Sequence, residues 1–473
     1  MTVAGTFRES GFGARSLGLK LMVILALIVL MAVPVIFISV ISFERSSRAD
    51  EVTREVSETY GGAQALLGPV VVLPYRQELS GGRLREGDFV VSALSGDAVF
   101  EGVRVEEKAR SLYRVPVYSA EGTLSATFGA LEDVLPDAPG LSFDANRARL
   151  VVGLQDVTGL QSDVTLEAGG RTLVFEPYRS GRRDRSDRVM VEPAFDAAGN
   201  VVPPRVYQDD LQGGGLTLLS VPLRDALGGS GAGTVSTRVS LTGAPSLSVR
   251  PYARSTQLRV SSDWPHPGFE GRFPPGERSI TDRGFSASWS VPFLRRGLPA
   301  SGTASEMRDL FRLGGAMQVN FVTPLDPYRT VNRALKYAVM FIGLVFLAYF
   351  LMETLLGVRV HPAQYLLIGL AQAVFYLLLL AFAEQIGFTP AFLISAVATV
   401  ALTSLYAGAV FGRSLIWKSA LVFGTVYALL FVLMRIQDFA LMVGALVCFT
   451  AIAATLYLTR NLDWYGGKAD NPA

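Results

Sequence analysis

Cysteine and histidine are almost absent from this sequence, and their scarcity excludes several kinds of site. Among 473 residues there is one cysteine, Cys448, and there are two histidines, His266 and His361. Cys448 lies inside an apolar run, so the hydrophilic part of the chain has no cysteine that could form a disulfide. A histidine-based metal site needs a cluster of ligands, which two isolated histidines do not supply. We therefore expect no metal site and no cofactor.

Sequence motifs of nucleotide-driven and hydrolytic enzymes are also missing. The chain contains no P-loop, no GxSxG, no HExxH and no CxxC sequence. A Ser-His-Asp site would have to use His266, whose neighbours Pro265 and Pro267 indicate an extended or turning backbone. We interpret His266 as a residue that caps a backbone group, and we predict that the protein is not an enzyme.

Charge of one sign is not concentrated anywhere in the chain. The formal net charge is +2 at pH 7, and the single basic run, residues 179–188, is interrupted by two aspartates. Nucleic-acid binding needs basic residues gathered on one soluble face. We therefore expect no nucleic-acid partner, and we interpret residues 179–188 as a solvated loop.

Long apolar runs, in contrast, are abundant: one lies near the N-terminus and five follow one another in the last third. The first, Leu21–Phe43, has 23 residues and no charge, which is enough to span a bilayer. The others are Tyr337–Leu356, Gln364–Ala383, Phe388–Phe411, Ser419–Met434 and Phe439–Leu458. The shortest, Ser419–Met434, spans comfortably only if neighbouring residues complete it. We predict six transmembrane helices.

The first apolar run has the position of a secretory signal peptide but not its length. The hydrophobic region of a signal peptide has roughly 7–15 residues and is followed by small residues at a cleavage site. Here the run is longer and ends in Ile41-Ser42-Phe43-Glu44-Arg45. We favour an uncleaved signal anchor over a cleaved peptide.

Basic residues near the ends of the runs predict the orientation of the helices. Arg8, Arg15 and Lys20 precede the first run, which places the N-terminus on the inner side under the positive-inside rule. Alternation then places residues 44–336 outside and the C-terminal tail inside. The short loops richer in basic residues all lie on the predicted inner side.

Residues between the first two runs alternate between apolar and polar in many short segments. The clearest is Phe285–Phe293, in which every second residue is apolar. A period of two predicts half-buried strands, and Gly-rich breaks between them favour sandwiches or open barrels. Further predicted strands are Ala98–Val105, Arg149–Leu154, Asp163–Glu167, Thr172–Phe175, Leu216–Val221, Val235–Leu241, Leu247–Val249 and Gln257–Ser261. Only Glu51–Gln64 has a helical pattern.

The predicted fold is a bundle of six transmembrane helices, one N-terminal and five C-terminal. A large β-rich, sandwich-like domain is inserted between helices 1 and 2. The predicted parts are an N-terminal segment at 1–20, helix 1 at 21–43, the β domain at 44–336, the five-helix bundle at 337–458 and a tail at 459–473.

Two short segments of the β domain are similar to each other. Val157-Thr158-Gly159 is followed by Ser162, and Leu241-Thr242-Gly243 by Ser246, with an offset of 84 residues. An internal duplication would explain this, and so would chance similarity of two hairpins. Under the first interpretation the domain has two lobes, about residues 65–215 and 216–320.

Charged residues within or beside the apolar runs are candidate functional residues, because polar groups are costly in a bilayer. Glu353 is the only carboxylate well inside a run, and we expect it to pair with Arg359. A proton or substrate relay is its alternative role. Glu384, Arg435 and Asp438 are expected to form a charged ring at the outer helix ends. The full set of candidates is Glu353, Arg359, His361, Glu384, Arg435 and Asp438.

Aromatic residues in a segment rich in proline and glycine form a second candidate site. The segment runs from Trp264 to Phe273, and its composition disfavours a core strand. We therefore expect exposed aromatic side chains that dock a ligand. The candidate docking residues are Trp264, His266, Phe269 and Phe273.

Several blocks of sequence, in order along most of the chain, resemble the CreD family. They are Gly68–Tyr75, Val115–Tyr118, Trp264–Gly271, Gly284–Trp289, Pro324–Tyr328, Arg333–Tyr337, Val360–Tyr365, Phe375–Leu379, Asp438–Leu441 and Thr459–Tyr465. Two positions depart from the family pattern: Gln437-Asp438 stands for Glu-Asp, and Tyr60-Gly61 stands for Trp-Gly. The first departure weakens any mechanism that needs two adjacent carboxylates.

The resemblance implies a bacterial inner-membrane protein linked to cell-envelope integrity. It further implies control by a two-component system, and an association of altered levels with colicin tolerance and β-lactam response. It supplies no catalytic residues. It implies that the predicted outer side is the periplasm, where the β domain lies, and that the inner side, with both termini, is the cytoplasm.

We therefore expect a non-catalytic protein that lies in the lipid bilayer and supports the envelope under stress. Its β domain binds a lipid, a peptidoglycan precursor or another envelope protein. The alternative is a transporter or flippase that moves a lipid or small amphiphile through the bundle. No pattern in the sequence predicts an oligomeric state.

Overall fold

The computed structural model describes residues 17–79, 83–110, 113–179, 194–195, 201–202, 206–211, 214–312, 315–322, 327–358, 360–436 and 439–460. The chain divides into two compact units. One, here called the membrane unit, comprises Met1–Asp50 and Leu325–Ala473; the other, the β unit, is Glu51–Pro324.

The helices belong to both units. They are α1 Leu17–Thr59, α2 Leu131–Val134, α3 Leu223–Leu227, α4 Phe293–Arg296, α5 Arg308–Phe311, α6 Pro327–Lys336, α7 Ala338–Leu356, α8 Pro362–Ile386, α9 Phe388–Phe411, α10 Ile416–Arg435 and α11 Ala440–Thr459. Within the described residues, six helices are long and apolar enough to cross a membrane: α1, α7, α8, α9, α10 and α11. The prediction of one N-terminal and five C-terminal spans is confirmed.

Helix α6 is an element that the sequence interpretation missed. It is short and amphipathic, because Tyr328, Val331 and Ala334 are buried while Arg329 and Lys336 are exposed. Its ten residues are too few to span a bilayer. A search for long apolar runs therefore passes over it.

Helix α1 is about twice as long as a membrane span requires. Its 43 residues rise roughly 65 Å at ~1.5 Å per residue. The helix ends at Thr59, where Gly61 and Gly62 take φ angles of +89° and +59° that favour glycine. The helix predicted for Glu51–Gln64 therefore stops early, because Gln64 already begins a strand.

All the strands of the described residues lie in the β unit. They are β1 Gln64–Leu79, β2 Arg83–Arg110, β3 Tyr113–Phe128, β4 Leu141–Phe143, β5 Arg149–Leu154, β6 Thr165–Ala168, β7 Arg171–Val174, β8 Glu176–Pro177, β9 Ala194–Phe195, β10 Val201–Val202, β11 Val206–Asp209, β12 Thr217–Pro222, β13 Gly233–Gly243, β14 Ser246–Arg250, β15 Ala253–Ser262, β16 Pro267–Gly271, β17 Glu277–Thr281, β18 Gly284–Val291, β19 Ser301–Thr303 and β20 Met317–Phe321. The prediction of a large β-rich domain between the first two spans is confirmed.

Strand β2 joins two sheets because it has 28 residues and pairs with different neighbours along its length. Its second half belongs to a sheet of order β7-β6-β13-β3-β2-β15-β18-β17. Its first half pairs with β1, which also pairs with β5 and β14 in the second sheet. The sheet that contains β15, β17 and β18 is called the serine sheet below, because its exposed face is rich in serine and threonine.

Alternation along the strands separates the core from the surface. In β18, Phe285, Ala287, Trp289 and Val291 are buried, whereas Ser286 and Ser290 are exposed. The strand ends at Val291, and Phe293, predicted to continue it, begins α4 instead. The largest fully buried side chains of the core are Phe100, Tyr118, Tyr252, Phe311 and Phe321.

The two similar segments of the β unit have different structures. Val157–Gly159 forms one turn of 3₁₀ helix, whereas Leu241–Gly243 ends strand β13. They lie beside each other, since Thr242 donates its hydroxyl hydrogen bond to the carbonyl oxygen of Gly159 at 3.2 Å. The division of residues 44–336 into two lobes stays a prediction.

Candidate functional site

Glu353, in the last turns of α7, is a buried carboxylate surrounded by hydrogen-bond donors. Its side chain is 7% exposed, and it forms an ion pair with Lys20 at the start of α1. The backbone amide of Val360 donates to Oε1 at 2.8 Å, and the Tyr365 hydroxyl donates to Oε2 at 2.7 Å. Both carboxylate oxygens are therefore satisfied, as a buried charge requires.

The turn between α7 and α8 brings these donors to Glu353. Helix α7 ends at Gly357, whose φ of +67° is a left-handed C-cap conformation. His361 then caps α8: its Nδ1 accepts from the Ala363 amide at 3.2 Å, and Gln364 closes a capping box. His361 is exposed, and its observed role is to start the helix that positions Tyr365.

The expected partner of Glu353 was Arg359, which lies outside the described residues. The sequence interpretation missed Lys20 and Tyr365 as partners. Lys20 precedes the first apolar run and was used only to set orientation, and nothing local links it to a residue 333 positions later. The single signal was that a lysine and the only intramembrane carboxylate fall on the same predicted side of the membrane.

Polar contacts at the opposite end of the bundle involve Glu384 and Arg435 with different partners. Glu384 accepts from the Tyr328 hydroxyl at 3.1 Å and lies 4.0 Å from Arg45. Arg435 donates to the Thr389 hydroxyl at 2.9 Å. The first set of contacts joins α8 to α6 and α1, and the second joins α10 to α9. The third member of the predicted ring, Asp438, lies outside the described residues.

A polar pair in the middle of the bundle was not predicted. The Tyr427 hydroxyl of α10 donates to Oε1 of Gln372 on α8 at 2.5 Å, and both residues are buried. Neither residue is charged, so a search for intramembrane charges passes over them. Gln372 within an apolar run was the available signal.

Trp264 and His266 lie at one end of strand β20 in the β unit. The Trp264 indole nitrogen donates to the carbonyl oxygen of Val322 at 3.1 Å, and the Val322 amide donates to the carbonyl oxygen of His266 at 3.3 Å. The imidazole ring is exposed and its centroid is 6.3 Å from that of Trp264. The His266 side chain is therefore available on the surface, and the Trp264 side chain is partly available.

The expectation that Phe269 and Phe273 are exposed is corrected by the structure. Phe269 lies on the edge strand β16, half-buried between the rings of Phe285 and Trp289 at centroid distances of 5.7 and 5.8 Å. Phe273 is 3% exposed, and its carbonyl oxygen accepts from Trp289. Proline and glycine are compatible with an edge strand, because only one side of it needs backbone hydrogen bonds.

An open groove of about 350 Å³ crosses the exposed face of the serine sheet. It is lined by strands β15, β17 and β18 and by one residue of β2. Its polar side chains are those of Ser261, Ser279, Ser286, Ser288, Glu101, Arg259 and Glu277. The alternation of β18 produces this lining, because Ser286 and Ser288 point away from the core that holds Phe285 and Ala287.

Charges of both signs surround the serines of this groove, which is called the serine groove below. Arg259 is held by Asp97 at 2.8 Å, where both side chains are largely exposed. Arg278 pairs with the buried Ala287 across β17 and β18, and its guanidinium lies 6.0 Å from the ring centroid of Phe269, so its side chain lies on the other face of the sheet. The groove offers hydrogen-bond donors and acceptors, and none of its lining residues is a histidine or cysteine.

Metal binding has no support in the described part of the chain. Its histidine, cysteine, aspartate and glutamate residues form no group of three or more that could hold an ion. The candidate sites are therefore the Glu353 contacts, the contacts at the opposite end of the bundle, the Trp264–His266 surface and the serine groove.

Comparisons with known proteins identify the chain as similar to inner membrane proteins. The family described as inner membrane protein CreD matches residues 16–465. The inner membrane protein CreD of Escherichia coli K12 is 29% identical over 451 residues, which cover 93% of this chain and 91% of the relative. The names state location and family, and neither describes an enzyme.

Proposed function

Because this chain belongs to the CreD family of inner-membrane proteins, we propose that it supports cell-envelope integrity under stress without catalysing a reaction. In this proposal the membrane unit anchors the protein, and the β unit binds a component of the envelope. The observation that carries the proposal is the serine groove, a polar concavity on the exposed face of a sheet.

The proposed orientation places both termini in the cytoplasm and residues 44–336 in the periplasm. It rests on the basic residues Arg8, Arg15 and Lys20 before the first span. The serine groove then faces the compartment that contains peptidoglycan. Fusions of a periplasm-dependent reporter enzyme after residue 300 and after residue 460 test this, since only the first is expected to be active.

The proposed ligand is the glycan of peptidoglycan. Serine hydroxyls, carboxylates and guanidinium groups together match the hydroxyl, amide and carboxylate groups of such a glycan. A volume of about 350 Å³ is within the size range of small-ligand sites. The half-buried ring of Trp264 and the exposed ring of His266 do not line the groove, and they are candidates for a secondary contact.

Arg259 is the residue of the groove that we expect to matter most. Asp97 holds its guanidinium at 2.8 Å, which restricts its motion before a ligand binds. A restricted side chain loses less conformational entropy on binding than a free one. Phe269 and Arg278 lie behind the groove, on the other face of the sheet, and Phe273 lies in the core, so none of them contacts the ligand directly.

The test is a sedimentation assay of the full-length, detergent-solubilised protein with purified peptidoglycan sacculi. Ser286→Trp places a large ring in the groove, and we expect a loss of affinity of about tenfold or more, equivalent to ~1.4 kcal/mol. Ser290→Trp is the matched control, because Ser290 is exposed on the same face of the same strand but does not line the groove. Equal binding by both variants, or no binding by the wild type, contradicts the proposal.

Transport through the bundle is the alternative function, and the contacts of Glu353 give it less support. A relay needs a carboxylate that can change partners, whereas Glu353 is engaged by Lys20, Tyr365 and a backbone amide. In cells that lack the wild-type protein, Glu353→Gln tests the alternative. If the variant fails to restore envelope integrity although it is folded, present in normal amounts and able to bind sacculi, transport would be favoured.

A further inference from the structure

Gln372 occupies the middle of α8, and Tyr427 occupies the middle of α10. The middle of a transmembrane helix is the part farthest from water, where every polar group depends on partners inside the protein. The Tyr427 hydroxyl uses the amide oxygen of Gln372 as its acceptor at 2.5 Å. This hydrogen bond links α8 to α10 at the centre of the membrane unit, where the rings of Phe375 and Tyr427 also pack at a centroid distance of 4.7 Å.

The amide nitrogen of Gln372 is left without a hydrogen-bond partner among the described residues, although the side chain is only 4% exposed. A buried donor without a partner is destabilising. Exchanging the positions of the amide oxygen and nitrogen does not remove the problem, because Tyr427 can contact only one of them. One polar atom of Gln372 therefore has no partner among the residues that the structure describes.

A cavity of about 10 Å³ lies beside this amide. The polar side chains that line it are Gln372, Tyr376 and Tyr427, and its apolar walls include Phe341, Val345 and Leu430. A volume of ~10–15 Å³ is what one water molecule requires, provided that two to four polar partners are present. The cavity meets both conditions.

The chemistry of the walls excludes larger and charged occupants. None of the lining residues is charged, so an ion would lose its hydration without gaining a counter-charge. A lipid headgroup or acyl chain does not fit a volume of about 10 Å³. The occupant must be small, neutral and able to accept a hydrogen bond from an amide.

We propose that this cavity binds one water molecule, which accepts a hydrogen bond from the Gln372 amide and contacts the hydroxyl groups of Tyr376 and Tyr427. The water completes a polar link between α8 and α10 in the middle of an otherwise apolar bundle. Interhelical hydrogen bonds of this kind fix which helices pair and in which register. The site is independent of the function proposed for the β unit.

X-ray radiolytic footprinting of the full-length protein in lipid nanodiscs tests this site. Radiolysis of a bound water hydroxylates side chains beside it, even where bulk solvent has no access. We expect Tyr427 and Tyr376 to be labelled several-fold faster than Tyr118, which is fully buried in the β unit and serves as the internal reference. Gln372→Met keeps the size of the side chain but removes the amide, so labelling of both tyrosines is expected to fall to the reference rate.

Equal labelling of Tyr427, Tyr376 and Tyr118 in the wild type would overturn the proposal, because the cavity would then be dry. Unchanged labelling of the two tyrosines in Gln372→Met would also overturn it, since the water would not depend on the amide. A second variant, Val345→Leu, fills the cavity from the apolar wall without touching a polar group. It is expected to lower the labelling as Gln372→Met does, whereas an unfolded bundle would raise the labelling of both tyrosines.

Discussion

The Tyr365 hydroxyl donates a hydrogen bond of 2.7 Å to the carboxylate of Glu353, across the turn that joins two membrane helices. The same carboxylate forms an ion pair with Lys20 from the first helix. Glu353 therefore holds the starts of α1 and α8 and the end of α7 together. This arrangement favours a structural role for the one carboxylate that lies well inside a span.

Removing either charge of the Lys20–Glu353 pair should destabilise the protein. Lys20→Met leaves a buried carboxylate without its counter-ion, and Glu353→Leu leaves an unpaired ammonium. We expect each to cost about 2 kcal/mol, between the values of exposed and of buried pairs. The midpoint of thermal unfolding in detergent measures the effect.

The double variant Lys20→Met/Glu353→Leu distinguishes pairing from two independent losses. Because no charge is then left unpaired, its unfolding temperature should lie above that of Glu353→Leu alone. Lys418→Met is the matched control, an exposed lysine at the same end of the bundle that is expected to have almost no effect. Additive effects of the two single changes would show that Lys20 and Glu353 do not interact.

Phe273 and Trp264 should differ in what they contribute to the β unit. Phe273→Ala removes a side chain that is only 3% exposed, and the expected loss of stability is about 3–5 kcal/mol. Trp264→Ala removes a half-buried ring near a strand end and should cost clearly less. Chemical denaturation of the full chain, followed by tryptophan fluorescence from the remaining tryptophans, measures both; equal losses would contradict the placement of Phe273 in the core.

Gly96 should not tolerate a side chain, because the ring of Tyr252 occupies the position of its missing Cβ. A Cβ built on Gly96 would lie 2.5 Å from the Tyr252 ring, and a Cβ on Gly68 would meet the same ring from another strand. Tyr252 cannot move freely, since its hydroxyl donates to the Ser125 carbonyl oxygen at 2.7 Å. We expect Gly96→Ala to cost about 1–3 kcal/mol through overpacking.

Gly129→Ala is the matched control for Gly96→Ala. Its nearest neighbour would be a methyl group of Leu94 at 3.4 Å, which is an ordinary contact. Thermal unfolding of the full chain should therefore separate the two variants. If Gly96→Ala unfolds at the temperature of Gly129→Ala, the Tyr252 ring does not lie where the structure places it.

The membrane spans and the strands were predictable because both follow from local patterns. Length and hydropathy identified all six spanning helices, and the alternation around Trp289 identified its strand. Phe273 was misjudged because proline and glycine around it indicate an irregular segment, whereas its burial depends on Trp289, 16 residues further along the chain. Local composition carries no information on such a contact.

The pairing of side chains across the bundle was not predictable for the same reason. Tyr427 and Gln372 are 55 positions apart and on different helices, and each is surrounded by apolar neighbours in sequence. Their contact depends on how α8 packs against α10. A single sequence fixes which residues enter the bilayer, but not which of them meet inside it.

The part of α1 beyond the membrane span should depend on packing rather than on charge. Val52 and Val56 pack against Val115 and Val117 of β3, whereas the Glu55–Arg110 ion pair has side chains that are 55% and 52% exposed. Exposed ion pairs contribute about 0–1 kcal/mol, and burying a valine contributes roughly 1.5–3 kcal/mol. Val56→Ala should therefore lower the free energy of unfolding more than Glu55→Ala does, because water already solvates both charges of the ion pair.

Hydrogen exchange of the backbone amides from 51 to 59 measures this difference. Val56→Ala is expected to speed the exchange of these amides, and Glu55→Ala to leave it nearly unchanged. The reverse order would mean that the ion pair, and not the packing of the valines, stabilises this part of the helix.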